Sequence, residues 1–476
     1  MDSKLRPLVV DLDGTLLHTD SLHELALQML RDQPASTLKI PVWLARGKAH
    51  MKRQISAVVG LNPETLPYNL PLLGWLREQR AAGRQLVLCT AADRSVAEPI
   101  ARYLGLFDEV MASEGSVNLA GANKAASLEA RFGVGGFDYA GNSTADMAVW
   151  SKAREAVVVN APRAVLAAAR DKFTVSKVFA APARGFSVWR RALRLHQWLK
   201  NLLLFMPLLA AHKLADVHAW GVLAQAFLAF SLCASTVYLV NDLLDLESDR
   251  LHRTKRNRPF ASGALPVWVG VVLAPLLLAG SVALASRTNW QFLSWLVVYF
   301  TLTCLYSWVL KRMILIDCLT LAMLYTLRVL AGAAAVGLQV SFWILAFSVF
   351  LFLSLAFVKR FAELEMQAAS GQGKLHGRGY HTDDASLIQT MGITAGQASV
   401  LVLALYLNSD AVTLLYKSPQ LIWGAVPIML FWIHWMWMQA HRGQMHDDPL
   451  VFAVKDRTSL LAGAAVALFL AAGALV

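Results

Sequence analysis

From residue 197 onward the chain is dominated by long apolar runs, and that feature leaves few folds open. Nine such stretches lie near 198–212, 219–241, 266–286, 291–310, 314–337, 341–358, 392–408, 419–440 and 459–476. A bilayer core takes about 20 helical residues, with a lower limit of about 17. In lipid only helices and closed barrels satisfy their own backbone groups. The runs therefore predict an all-α polytopic membrane domain of nine transmembrane helices over residues 201–476. The first stretch contains Pro207, and it and the seventh are short. Composition agrees with this division. The chain is 56% hydrophobic and 16% charged, where soluble proteins carry about 25% charge. The net charge of +12 follows from basic loops beside anionic membrane lipids rather than from nucleic acid, since no basic stripe lies outside loop positions.

The loops also fix an orientation. One set carries Arg250, Arg253, Lys255, Arg256, Arg258, Lys311, Arg312, Lys359, Arg360, Lys374, Arg378, Arg442, Lys455 and Arg457. The opposite set carries only Lys213, Arg287 and Lys417. Lys and Arg accumulate on the cytoplasmic side, which puts the first set there and the C-terminus outside. The opening residues MDSKLRPLVVDLDGT hold too short an apolar stretch for a signal peptide, so the first domain is expected in the cytoplasm. Cys89, Cys233, Cys304 and Cys318 form no CxxC or Cys/His pair at zinc spacing. Three of them lie in apolar runs and are expected to pack as small apolar residues.

Residues 1–180 alternate short strands with helices. Leu8–Asp11, Gln85–Thr90, Phe137–Gly141 and Ala156–Asn160 have strand pattern, and Leu72–Ala82 and Ser95–Leu104 have helical pattern. Such alternation predicts an α/β Rossmann-like parallel sheet with helices on both faces. Residues 18–70 are mostly helical in pattern and have the place of a small inserted cap. Residues 181–200 are basic and amphipathic, which predicts a linker helix lying on the membrane surface.

The second apolar run leads into Asn241-Asp242-Leu-Leu-Asp245-Leu-Glu-Ser-Asp249. Asp242, Asp245 and Asp249, three and four residues apart, would share one helix face. Carboxylates so close repel unless cations lie between them. Hard divalent ions, Mg2+ above all, bind oxygen ligands and bridge to diphosphate. Basic residues follow at once, among them Arg256 and Arg258, placed to hold phosphate oxygens. A solvated helix end of mixed charge is the plain alternative, but acids entering a membrane span are costly and usually functional.

This segment resembles the NDxxDxxxD motif of the UbiA superfamily of nine-helix membrane transferases. RLHQWLKN (194–201), YLVNDLLDLESDRLHRTKRNRPFASGALP (238–266), YSWVLKRMILIDC (306–318), LRVLAGAAAVG (327–337) and VKRFAELE (358–365) resemble one branch, the decaprenyl-phosphate phosphoribosyltransferases. The resemblance implies transfer of phosphoribose from phosphoribosyl diphosphate (PRPP) to a polyprenyl phosphate, in a bacterial inner membrane. It implies Asp242, Asp245 and Asp249 as Mg2+ ligands, with Asp245 also in the catalytic set. Lys200, Asn241, Arg256, Arg258, Tyr306, Lys311, Asp317, Arg328, Lys359, Arg360 and Glu363 are its substrate-binding candidates. Tyr380, Arg378, Lys455 and Asp456 are weaker ones. Prenyl-transferring relatives carry a second DxxxD motif after the fourth helix. Here that region has one acid, Asp317, preceded by Lys311 and Arg312, a balance that suits a donor with an extra phosphate.

Asp11-Leu-Asp13-Gly-Thr15 follows a buried strand and resembles the DxDGT signature of haloacid-dehalogenase phosphatases. The first Asp accepts a phosphoryl group, and the second works as general acid and base. Mg2+ offsets charge between carboxylate and phosphate. The resemblance makes Asp11 and Asp13 catalytic and metal-binding, Thr90 and Lys124 phosphate-binding, and Asp146 a metal ligand. Gly141-Asn142-Ser-Thr-Ala-Asp146 departs from the acidic motif GDxxxD, because Asn142 stands where an acid is usual. A silent scaffold is the alternative for this domain. The fusion itself suggests a pairing, since the transfer product carries a phosphomonoester. Two rivals stand beside this reading. One is a prenyltransferase for an aromatic or quinone precursor, and the other is a transporter or lipid-binding protein with a regulatory head.

Overall fold

The computed structural model describes residues 5–114, 117–182, 185–369, 371, 373, 375, 378–409, 412, 416–445 and 448–475. Lys374 and Val476 lie outside them. The chain divides into two compact units, residues 1–193 with 238–274, and residues 194–237 with 275–476.

The first unit is built on a six-stranded parallel sheet. Its strands are β1 (Leu8–Val10), β2 (Leu86–Asp93), β3 (Glu109–Ser113), β4 (Asp138–Gly141), β5 (Ala156–Val159) and β6 (Val175–Phe179), in the order β3-β2-β1-β4-β5-β6. Register runs Leu8 to Leu86 on one side of β1 and Leu8 to Asp138 on the other. Successive side chains alternate faces. Leu8, Val10 and Leu88 thus enter one core layer, while Val9, Val87, Cys89 and Tyr139 enter the other. Strands β3 and β6 were not among the sequence expectations. They are the two edges of the sheet, and Glu109, Ser176 and Lys177 interrupt their apolar pattern. The cap is present as the helices Ser21–Asp32, Pro34–Thr37, Ile40–Ala45 and Lys48–Val58. Asp20 starts the first of them by accepting from the Leu22 and His23 amides at 2.9 and 3.3 Å, the usual work of an N-cap acid.

The expected surface helix over 181–200 is not continuous. Among its described residues only Phe186–Ala192, seven residues, are α-helical. Arg194 then adopts φ +50°, and a 3-10 stretch, Leu195–Phe205, follows. A left-handed residue cannot continue an α-helix.

Seven helices among the described residues are long and apolar enough to cross a membrane: Val217–Leu244, Val267–Thr288, Ile316–Ala335, Phe342–Ala369, Thr382–Leu407, Pro419–His441 and Arg457–Leu475. Two of the nine expected stretches differ. The run 198–212 folds as the 3-10 stretch followed by the short helix Met206–Ala210, where Pro207 supplies no N–H for a continuous helix. The run 291–310 becomes the helix Trp290–Trp308, whose Trp, Tyr, Ser and Thr residues lower its apolarity. In the second unit, Gly392 and Gly396 let helices approach closely. A Cβ on either would collide with Trp437 or Ile433, and Ser354 Oγ donates to the Gly392 carbonyl at 2.7 Å. Small residues at helix contacts serve this purpose in membranes.

Candidate active sites

The carboxyl ends of β1 and β4 adjoin where the strand order reverses, which in open α/β sheets is where ligands bind. Asp11 follows β1 directly, and its amide donates to the Ala140 carbonyl on β4 at 3.0 Å. The turn after it places Gly14 at φ +74°, and a Cβ there would collide with the Asn142 side chain. The glycine therefore admits Asn142 against the Asp11–Asp13 loop. Lys124 Nζ donates to Asp11 Oδ1 at 2.6 Å and lies 3.0 Å from the Tyr139 hydroxyl. That hydroxyl donates to Asp146 Oδ1 at 2.8 Å. Asp146 Oδ2 accepts from the Asn142 and Ser143 amides and from Ser143 Oγ at 3.0, 2.9 and 2.9 Å. Asp11, Lys124, Tyr139 and Asp146 thus form one buried hydrogen-bonded chain.

Asp13 Oδ1 accepts from the Ser21 amide at 2.8 Å, at the start of the first cap helix. Thr90 is fully buried, and its Oγ1 accepts from the Ala92 amide at 3.0 Å. Lys52, from the cap, donates to the Ala91 carbonyl at 2.8 Å and lines a small cleft with Asp13, Asp20 and Asp93. Neither Lys52 nor Tyr139 was a sequence candidate. Lys52 is one basic residue among several in a cap helix, and Tyr139 reads as core.

Burial raises both aspartates. Asp11 rises to about 6, because desolvation outweighs the attraction of Lys124. Asp13 rises to about 7 through desolvation and the charge of Asp20. Burial works against the Lys124 charge, yet Asp11, Cys89 and Asp146 lift it to about 12.

The aspartate motif departs from the single helix face expected for it. The helix Val217–Leu244 ends one residue before Asp245, which becomes the N-cap of a separate helix, Leu246–Leu251, at φ −96° and ψ 10°. Asp242 and Asp249 are buried, whereas Asp245 is exposed. Arg258 Nη1 bridges the buried pair, at 3.1 Å from Asp242 Oδ1 and 2.6 Å from Asp249 Oδ2. Burial raises the Asp249 affinity for its proton, and Arg258 opposes that. Asn241 is half-buried at the end of the long helix, and Arg256 is exposed.

In the second unit, Asp317 is fully buried and heavily paired. Arg360 lies 2.5 Å from its Oδ2 and Arg378 lies 3.3 Å away. The Tyr380 hydroxyl donates to Oδ1 at 2.5 Å. Arg360 also pairs with Glu363, and Arg378 donates to the Tyr306 hydroxyl at 3.1 Å. Two weaker sequence candidates, Arg378 and Tyr380, are therefore direct partners of Asp317. Lys311 is half-buried in the turn Leu310–Arg312.

A second cluster centres on a residue the sequence did not single out. Asp448 accepts from Lys200 at 2.7 Å, from Lys359 at 3.4 Å and from the Tyr325 hydroxyl at 2.9 Å. Arg328 makes a third cluster, donating to Asn201 Oδ1 at 2.8 Å and to the Tyr299 hydroxyl at 3.0 Å. Of the remaining candidates, Asp456 accepts from Trp435 Nε1 at 2.9 Å and from the Ser459 amide at 2.8 Å, and Lys455 is exposed.

The donors at the head site and at the aspartate motif are carboxylate and amide oxygens, a set that suits a hard cation such as Mg2+. Among the described residues no three His, Cys, Asp or Glu side chains stand together as a preassembled metal site.

Residues 202–461 match the UbiA prenyltransferase family, and residues 8–150 match the haloacid dehalogenase-like hydrolases. Protein y4nM of Sinorhizobium fredii is 38% identical over 98% of this chain and 90% of its own length. The nodulation protein NoeC of Azorhizobium caulinodans is 36% identical over 58% of this chain and 90% of its own. The decaprenyl-phosphate phosphoribosyltransferase of Mycolicibacterium smegmatis is 35% identical over 38% of this chain and 58% of its own. With seven helices of membrane-spanning length and apolarity among its described residues, the chain is an integral membrane protein of the UbiA prenyltransferase family that carries a haloacid dehalogenase-like domain at its N-terminal end.

Proposed function

We propose that the membrane part, residues 201–476, transfers 5-phosphoribosyl from PRPP to a polyprenyl phosphate. The head, residues 1–180, then removes the 5-phosphate from the product, and residues 181–200 link the two. The observation that carries the first half is the state of Asp317. It stands where prenyl-transferring relatives have an acidic motif, and here Arg360 and Arg378 surround it. An acid so neutralised contributes little toward holding a second metal–diphosphate. The surrounding arginines suit a donor with a further phosphate. The similarity to a decaprenyl-phosphate phosphoribosyltransferase supports the same choice.

In this reading Asp242, Asp245 and Asp249 would hold Mg2+, and Asn241, Arg256 and Arg258 bind the diphosphate oxygens of the donor. Lys311, Arg360 and Arg378 take the 5-phosphate, with Asp317, Glu363 and Tyr306 orienting them. Lys200, Lys359 and Arg328 attract the acceptor phosphate. A phosphate oxygen of the polyprenyl phosphate attacks the anomeric carbon, the bond to diphosphate breaks, and diphosphate leaves with that electron pair.

In the head, Asp11 attacks the phosphorus while Asp13 protonates the departing ribose oxygen. Asp13 then takes a proton from water, which cleaves the phosphoaspartate and frees Asp11. Lys124 and Thr90 hold the phosphoryl oxygens, while Asp146 anchors the turn bearing Asn142. Asp11, Asp13 and Asp146 would supply the carboxylate oxygens for a cation, and Asn142 can add its amide oxygen but no charge. Mg2+ bound at either site offsets carboxylate charge and draws electron density from phosphate oxygens. Nine membrane helices and a cytoplasmic head complete the proposal. The basic loops support that topology.

The test is radiolabelled PRPP with purified protein, Mg2+ and a set of polyprenyl phosphates. Label is expected in lipid only with all components present. Prenyl transfer from a prenyl diphosphate to an aromatic acid, with no use of PRPP, would establish the rival.

A further inference from the structure

The segment 238–274, which carries the aspartate motif, forms one compact unit with the head. Their contact is specific. Arg250, next to Asp249, makes two parallel hydrogen bonds to Glu24 of the first cap helix, at 2.7 and 3.1 Å. Both side chains are buried, at 8% and 6% exposure. Its Nε donates to the Ala261 carbonyl at 3.0 Å. Thr19 Oγ1 donates to Glu24 Oε1 at 2.7 Å, which fixes the carboxylate. Around this pair, Arg31 lies 3.3 Å from Glu247. Gly263, at φ +73°, has the His18 side chain against it where any Cβ would collide.

Three consequences follow. First, Arg250 has its guanidinium engaged on every nitrogen, so it serves the loop rather than a phosphate. Second, by binding both Glu24 and the Ala261 carbonyl, it closes residues 250–261 into a held loop. Arg258, which bridges Asp242 and Asp249, lies inside that loop. Third, the anchoring helix Ser21–Asp32 starts at the amide that Asp13 accepts. A bidentate buried arginine–carboxylate pair fixes orientation as well as distance, and losing either partner strands the other charge.

We propose that the head is a positioning element of the membrane transferase. Glu24 holds Arg250, and through it the loop that presents Arg258 and the aspartates, so full transfer requires the docked head. This rests on the reading of Asp242–Asp249 as the diphosphate site. Glu24 is a positioning residue, since it acts through Arg250.

The test uses the full chain in lipid nanodiscs, with hydrogen exchange and trypsin cleavage as readouts independent of substrate. Glu24→Ala should speed exchange across 246–262 and cleavage at Arg253, Lys255 and Arg256, while strands β1–β6 keep their protection. The KM for PRPP should rise by roughly tenfold or more, as small misplacements of a binding group can cost about 100-fold. Arg31→Ala, at the exposed rim, should change neither. Unchanged exchange over 246–262 in Glu24→Ala overturns the proposal, as does an unchanged KM with a loosened loop. Should Glu24→Ala unfold the head, Arg250→Met gives the same reading from the other partner, and unchanged loop exchange there overturns it. A wild type that ignores PRPP refutes the proposed donor and leaves the exchange result to decide the docking.

Discussion

Asp448 and Lys200, 248 positions apart, form a buried ion pair with Nζ and Oδ2 at 2.7 Å. Lys359 and the Tyr325 hydroxyl complete the surroundings of that carboxylate. Burial alone would favour its protonation, but the two lysines outweigh it and hold the carboxyl below the usual range. The folded affinity for the proton is thus lower than the unfolded one. The stabilisation is complete above the unfolded value of about 3.9 and is lost as pH falls through the folded value. Asp448→Asn strands the buried Lys200 and the half-buried Lys359 and should cost about 3–5 kcal/mol at pH 7. The gap from wild type should narrow below about pH 4. Thermal unfolding in detergent at pH 7 and pH 3 measures both, and a gap that stays constant contradicts the assignment.

Asp242→Asn and Asp245→Asn should each lower transfer by about 100-fold or more, the scale for removing one electrostatic support of a transition state. Folded yield and melting temperature should stay near wild type for Asp245, which is exposed. Near-normal transfer by Asp245→Asn removes it from the site.

Asp11→Asn in the full chain should leave ribosyl transfer intact while the 5-phosphorylated lipid accumulates. Lipid extraction with phosphate release distinguishes the two steps. If wild type also yields only the phosphorylated lipid and no inorganic phosphate, the head has another substrate or none.

A reporter fused after residue 476 should be active outside the cytoplasm, and one fused before residue 1 inside it. An odd number of crossings requires this, whether seven or nine. A cytoplasmic C-terminus would mean that only one of the two divergent segments, 195–210 or Trp290–Trp308, crosses the membrane.

The sequence by itself determined the features whose signal is local. The apolar runs set a helical membrane part, because lipid forbids other open backbones. Asp11-Leu-Asp13-Gly14 and Asn241-Asp242 to Asp249 hold their chemistry within a few residues, so spacing alone reveals them. The central strands β1 and β5 and the apolar first half of β2 were legible because burial on both faces makes them continuously apolar, and β4, which opens on Asp138, carried a weaker pattern. The edge strands β3 and β6 escaped because one side of each is free of partners and admits charge. Only the tertiary structure decided how the charges pair. Spacing put Asp242, Asp245 and Asp249 on one helix face, yet the helix ends before Asp245, and Arg258 draws the outer two together. Glu24 finds Arg250 across 226 positions and Lys200 finds Asp448 across 248. An ion pair needs only proximity in space, and at such separations that proximity comes from packing, which leaves no periodic trace in the chain.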